Sequence, residues 1–439
     1  MKKLVVVLVL AVFIAVAIGA VIKVIEPTED TAWKKVRVAH DSLYAENYEY
    51  VDYANEVFYD EEEHPALKDQ GLFWVKWDYE NGKPIEVPAD SEEGAALVDP
   101  NKPTLINIHG MLVDGATNRE DFFLNENVDV PSEFDVDYDR TNMLYLWIRA
   151  GYNVANFQYH RFATDMSPPS IEGKIWLSDS STANYEGQYY QDGNGTWIEN
   201  ASEYTVSEHF VAEYLRAMSY LPDTMGDQEI HVIAHSMGGE VAASGLFLLT
   251  EMAAVGQLDP NQLPNRYTLM DTYFSMNIPY NNGTYYYVGP QGHIRWSGKE
   301  LYNQNTAYAT ISCLEELEAN GIALEYYYND LSFLNLAMSN EIKERLLAIA
   351  VYVEIKPEWS GYSDKYTEMS NGHNGVREWY LCSLFGTPAV DTNGNTAPSA
   401  GVSTERIKEL KGKYYRYQDG IYTVNAQDDV FVVVDSFDD

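Results

Sequence analysis

The chain has 439 residues, of which 46% are hydrophobic, enough material for one large core with smaller additions. Its 67 acidic residues against 29 basic ones give a formal net charge of −38. That balance argues against a nucleic-acid partner, because phosphate binding needs a basic surface, and it favours a soluble body that anionic head groups repel.

The N-terminus sets the first expectation. Lys2 and Lys3 precede an unbroken apolar run from Leu4 to Ile22. A positive flank before such a run is a secretion signal or an uncleaved membrane anchor, and residues 1–25 are assigned that role. The lysines stay inside, so everything beyond about Lys23 is expected outside the cytoplasm, secreted or tethered to the outer face of the membrane. Residues 26–70 read as an acidic connector, with the cluster Asp60-Glu61-Glu62-Glu63, before a body spanning 71–386.

The body opens with a strand at Phe73–Tyr79, an Asn81-Gly82 turn and a returning strand at Lys83–Val87. Thr104–Ile108 is a short apolar run of the kind buried on both faces of a parallel sheet, and it ends in His109-Gly110. Asn142–Ala150 reads as the end of a helix, closed by Gly151, and leads to a strand at Tyr152–Tyr159. A polar, Tyr-rich insertion over 161–206 reads equally as a lid over the site or as a surface loop. Then follow a helix at Ser207–Leu221, a strand at Glu229–Ala234, a helix at Met237–Val255 and a strand at Arg266–Met270. Further on come a helix within Gly298–Asn320, strands at Ile322–Tyr328 and Leu347–Ile355, and a helical segment at Glu378–Leu384. Residues 387–439 form a loop-rich extension with strands between Tyr414 and Val434 around Asp419-Gly420. This alternation predicts an α/β fold, a mostly parallel sheet with helices on both faces.

The chemistry concentrates at Ile233-Ala234-His235-Ser236-Met237-Gly238-Gly239, where an apolar strand meets a helix. A tight turn there lifts a serine hydroxyl to the carboxyl edge of the sheet, and it needs small residues two places either side of the serine. Ala234 and Gly238 meet that need, with Ala in place of the more usual Gly, which makes Ser236 the candidate nucleophile. An ordinary helix N-cap serine is the alternative. In such a site one oxyanion-binding N–H comes from the residue after the serine and another from a loop after an earlier strand. Met237 and Met111, the latter following His109-Gly110, are the expected donors, with His109 anchoring its loop.

These motifs resemble the lipases and esterases of the α/β-hydrolase superfamily. Ile108-His109-Gly110-Met111-Leu112-Val113-Asp114-Gly115 is similar to the oxyanion loop of pancreatic-type lipases. Ala234-His235-Ser236-Met237-Gly238-Gly239 is similar to the elbow of small bacterial lipases. The resemblance covers roughly Phe73 to Leu384, at the level of motifs, and implies the α/β-hydrolase fold with a Ser, acid, His order. Two acids qualify: Asp271, directly after the strand Arg266–Met270, and Asp330, at the end of the next one. Asp271 is preferred because the pancreatic-type family places its acid after that strand; Asp330 sits where the wider superfamily does. Of nine histidines, His293 and His373 follow in order, and His373 is preferred because it comes after the last strand and just before a helix.

The expected reaction is acyl transfer from a carboxylic ester, a lipid ester first, with no cofactor and no metal. Asp428-Asp429 lacks the spacing of a calcium-binding EF-hand loop. The alternatives are the same fold acting as a thioesterase, peptidase or acyltransferase, or a non-catalytic surface binding protein built on it. Cys313 and Cys382 either pair, if the chain is exported, or are two buried thiols, the preferred reading.

Overall fold

The computed structural model describes residues 52–112, 115–120, 142–165, 168–176, 188–222, 228–254, 256–274, 306–329, 338–356, 365–420 and 426–437. The apolar leader, His293 and Asp330 lie outside them.

Asn81-Gly82 turns the chain with Gly82 at φ 61, a left-handed conformation that suits glycine. Strands β1 (Gly71–Asp78) and β2 (Lys83–Pro88) therefore pair antiparallel, Trp74 opposite Val87 and Trp77 opposite Pro84. β2 is one edge of the sheet, and its prolines at 84 and 88 withhold N–H donors from any further strand.

Strand and helix then alternate. The order is β3 (Thr104–Ile108), α1 (Met143–Arg149), β4 (Asn153–Gln158), α2 (Pro168–Trp176), a small hairpin β5 (Tyr190–Gln191) and β6 (Trp197–Ile198), and α3 (Val206–Ser219). It continues with β7 (Ile230–His235), α4 (Gly238–Ala254), β8 (Arg266–Met270), α5 (Thr306–Ala319), β9 (Ala323–Asn329), α6 (Asn340–Ile349) and β10 (Val351–Ile355). The last elements are α7 (Lys365–Cys382), β11 (Val390–Asp391), α8 (Thr404–Glu409), β12 (Tyr414–Asp419) and β13 (Val430–Val434). The main sheet has 11 strands in the order β11-β13-β12-β10-β9-β8-β7-β3-β4-β1-β2. The run from β4 through β10 is parallel throughout, and β1 joins it antiparallel.

Because side chains alternate across a strand, a sheet covered on both faces needs apolar residues at successive positions. Ile106, Val232, Leu269 and Tyr326 pack on one face against Phe210 of α3, Leu246 of α4 and Leu314 of α5. Leu105, Ile233, Met270 and Tyr327 pack on the other against Trp147 of α1 and Trp379 of α7. The Trp147 indole N–H donates to the Leu381 carbonyl at 3.1 Å, tying those two helices together.

Three expectations change. Residues 347–349, read as the start of a strand, end α6, which Ser339 caps and which buries Ile342 and Leu346 one turn apart. The tail is less separate than its composition suggests: β12 lies parallel to β10 and extends the main sheet. Tyr53, Val57 and Leu67, within the supposed connector, are buried in the same core as α3 and α4. Cys313 and Cys382 form no disulfide with each other and are both buried, on opposite faces of the sheet.

The insertion packs through a buried carboxyl pair. Trp176 of α2 donates its indole N–H to Glu240 of α4 at 2.5 Å, and Thr306 of α5 donates its hydroxyl to Glu172 of α2 at 2.5 Å. Burial first, and the Glu172 carboxyl second, hold Glu240 well above the usual carboxylate range, against the pull of the Trp176 N–H. Glu240 is thus protonated in the folded chain at pH values where the unfolded chain has lost that proton. Its contribution to stability is complete below the unfolded pKa of about 4.3 and falls as pH rises through the folded value, by up to about 1.4 kcal/mol per pH unit. Glu240→Gln is expected to remove that slope, so urea midpoints of variant and wild type diverge as pH rises above about 4.3. A difference that stays constant over that range would assign the proton elsewhere.

Candidate active site

β7 is buried along its length, and α4 begins at Gly238, with only Ser236 and Met237 between them. Ser236, in the turn between them, has φ 56. Among the described residues only two other non-glycine residues have positive φ, Asn200 and Asp271. Such a conformation costs on the order of 1–3 kcal/mol and persists where its surroundings dictate it. Here the Ser236 N–H donates to the Met270 carbonyl at 3.0 Å, while its own carbonyl accepts from Gly239 at 3.0 Å and Tyr273 at 3.2 Å. The small residues of the motif have a steric reason. A Cβ at Gly238 would lie 2.4 Å from the His109 carbonyl oxygen and 2.5 Å from that of Ile108, both backbone atoms that cannot give way.

The loop after β3 closes against this turn. A Cβ at Gly110 would sit 2.6 Å from the Ser236 Cβ and 2.9 Å from the His235 carbonyl oxygen, so only glycine allows the approach. His109 anchors the loop from within. Its Nδ1–H donates to the Gly110 carbonyl at 2.7 Å, its Nε2 accepts the Tyr159 N–H at 3.1 Å, and the Tyr159 hydroxyl donates to its carbonyl at 2.7 Å. Burial pushes its pKa down to about 3, leaving the neutral ring that this pattern requires. Met111 is half-buried and Met237 buried. Neither backbone N–H donates to an acceptor among the described residues.

Asp271 follows β8 directly, fully buried, with its N–H donating to the Tyr327 carbonyl at 2.7 Å and φ 42. The His373 Nδ1–H donates to its Oδ2 at 2.6 Å. His373 is not in a loop before a helix, as expected, but within α7. The flanking Asn and Gly residues read as a loop because they are poor helix formers. Packing overrides that preference: a Cβ at Gly372 would lie 3.2 Å from the Asn329 side chain, so the helix crosses the end of β9 closely there. Asp271 and His373 thus meet at the carboxyl end of β8, and Ser236 lies at the carboxyl end of the neighbouring strand β7.

Two contacts were not legible beforehand. His235 donates its Nε2–H to the His373 carbonyl at 3.1 Å, the rings 4.3 Å apart. Arg377, one turn beyond His373, donates to Glu120 at 2.6 Å, which links α7 to the segment beyond the loop after β3. Among the described residues, no group of three or more His, Cys, Asp or Glu is arranged to hold a metal, and no helix is long and apolar enough to cross a membrane.

The parallel sheet, its antiparallel entry hairpin and the strand–turn–helix around a strained serine define an α/β-hydrolase fold. No protein-family model and no curated protein matches the chain. Similar solved structures include a thioesterase domain from the curacin biosynthetic pathway, 14% identical over 56% of this chain and 80% of that one, with a TM-score of 0.25. Carboxylesterases of the thaumarchaeon Nitrososphaera gargenis are represented at 10% identity, 56% and 79% coverage and a TM-score of 0.25. An esterase from the fungus Rhizomucor miehei matches at 14% identity, 67% and 72% coverage and a TM-score of 0.28. Likenesses of this size say nothing about substrate.

Proposed function

We propose that the protein is an extracytoplasmic serine hydrolase that cleaves carboxylic esters, lipid esters foremost, through Ser236, His373 and Asp271. The observation that carries this reading is the 2.6 Å bond from His373 Nδ1 to the buried Asp271 carboxylate, beside a serine held at φ 56. A proton on Nδ1 leaves the Nε2 lone pair to take the Ser236 proton as the hydroxyl attacks an ester carbonyl. Asp271 orients the ring and stabilises its charged form. The Met111 and Met237 N–H groups hold the oxyanion as the carbonyl becomes tetrahedral. Collapse expels the alcohol, protonated by His373, and water activated by the same ring then hydrolyses the acyl-enzyme. Asp271 is the acid of this reading because its carboxylate meets His373. The leader at residues 4–22 supports export or a membrane tether.

The test is reaction of the full chain, kept soluble with detergent, with a fluorophosphonate, followed by mass mapping of the modified peptide. A single adduct at Ser236, absent in Ser236→Ala and slow to form in His373→Ala, is expected. A folded protein that takes no label would refute the hydrolase and favour a binding protein on the same fold. Oxygen-ester, thioester and amide substrates then separate an esterase from a thioesterase or peptidase.

A further inference from the structure

We infer that His235 is a positioning residue for His373: its imidazole ties the backbone and ring of the base to the strand that carries the nucleophile. The inference rests on the proposed function, since it assigns His373 a reaction to be positioned for.

His235 is the last residue of β7 and the immediate neighbour of Ser236, in register with Met270 of β8. With the two-residue period of a strand, its side chain shares the face of Ile233, the face that α7 covers. There its Nε2 lies 3.1 Å from the His373 carbonyl oxygen. A carbonyl only accepts, so Nε2 carries the hydrogen and His235 is the donor. The rings lie 4.3 Å apart at 33°, so the side chain also packs on the imidazole it anchors. Burial, with the Arg377 guanidinium adding to it, keeps the His235 pKa well below its usual value, so the donor is neutral.

The contact does something the aspartate cannot. Asp271 holds one atom of the His373 ring, and that single bond does not by itself set the ring's rotation about it or the position of the backbone that carries it. His235 holds the other end, at the backbone. With both ends held, the direction of the remaining ring nitrogen is fixed relative to Ser236, one residue from His235 along the same turn. Near-attack geometry of this kind is sensitive, since about 1 Å of misplacement can cost on the order of 100-fold in rate. A histidine that merely filled space would contribute to stability and leave turnover alone.

His235→Phe keeps an aromatic ring and removes the donor, whereas His235→Gln keeps an N–H near the position of Nε2. With p-nitrophenyl butyrate as probe, kcat of the Phe variant is expected to fall by about 10- to 100-fold with KM within about twofold, and the Gln variant to regain most of that loss. The rate of fluorophosphonate labelling should follow kcat, and thermal unfolding monitors folding in every variant. His235→Met, matched in length to the Gln variant, repeats the comparison of donor against no donor and decides the matter should the Phe variant not fold. Wild type that labels at Ser236 while the donor-free variants turn over at full rate would overturn this inference alone. Donor and donor-free variants that lose kcat equally would also overturn it. Wild type that never labels would overturn the hydrolase reading, and this inference with it.

Discussion

Asp271→Asn is expected to lower kcat on p-nitrophenyl butyrate about 10⁴-fold while leaving the protein folded. That fall corresponds to about 5.4 kcal/mol of barrier, the largest effect expected of a change that keeps the shape of the side chain. Two features make the substitution clean. Asp271 has φ 42, a left-handed conformation that Asn adopts more readily than most residues. Its carboxylate is fully buried, and an amide of the same size fills the same space. What changes is the hydrogen on His373. An amide N–H would donate to Nδ1 where a carboxylate now accepts at 2.6 Å. The ring would then carry its hydrogen on Nε2 and have no lone pair for the Ser236 proton. Asp271→Ala is a poorer experiment, because it adds a cavity and a non-glycine residue less suited to positive φ. Steady-state kinetics beside urea unfolding of the Asn variant separates activity from stability. Turnover within about tenfold of wild type would mean that Asp271 is not the acid. Asp330→Asn would then be the next substitution to measure.

How much of this was legible depends on how local each feature is. The elbow could be read because its requirements fall within seven residues: an apolar strand, a serine between small residues, and a helix. The place of Asp271 at the end of its strand could be read because no loop intervenes. Leu346–Ile355 could not be divided correctly: a helix end and a whole strand share one apolar run with no glycine or proline between them, and periodicity fails on such runs. The helix around His373 was hidden for the opposite reason. Asn371, Gly372, Asn374 and Gly375 argue locally for a loop, yet Val376, Trp379 and Tyr380 are buried against the sheet and the packing of that face prevails. The contacts around the base were beyond reach of any local pattern. His235 meets a residue 138 positions away, and Glu120 one 257 positions away. Their residue types are ordinary; only the crossing of α7 over the ends of β7 and β8 gives them a role.

The second large effect lies at the other end of the same strands. Arg266, the first residue of β8, is buried and donates to Glu325 of β9 at 2.7 Å, to the Val402 carbonyl at 2.6 Å and to the Ser399 carbonyl at 3.1 Å. Glu325, fully buried, also accepts from Thr268 at 2.6 Å, Tyr380 at 2.8 Å and Tyr327 at 2.9 Å. This network fastens the loop at 399–402 and the helix α7 to the sheet. Glu325→Ala leaves a guanidinium buried without its main partner and three hydroxyls without their acceptor, which is expected to cost about 3–5 kcal/mol. Glu229, 3.9 Å from Arg266, offers a second carboxylate and favours the lower end of that range. The strands rise about 3.3 Å per residue, so Arg266 lies roughly 13 Å from Met270 and the site beyond it. Turnover per folded molecule should therefore survive while the urea midpoint falls. Removing both charges together, as Arg266→Met with Glu325→Leu, should cost less than removing Glu325 alone, because no unpaired charge remains buried. A single substitution that costs under about 1 kcal/mol would show that the pair does not anchor the tail. A loss of kcat equal to the loss of stability would show that strain at the base of β8 reaches Asp271, and the two ends of the strand would then have to be treated as one coupled unit.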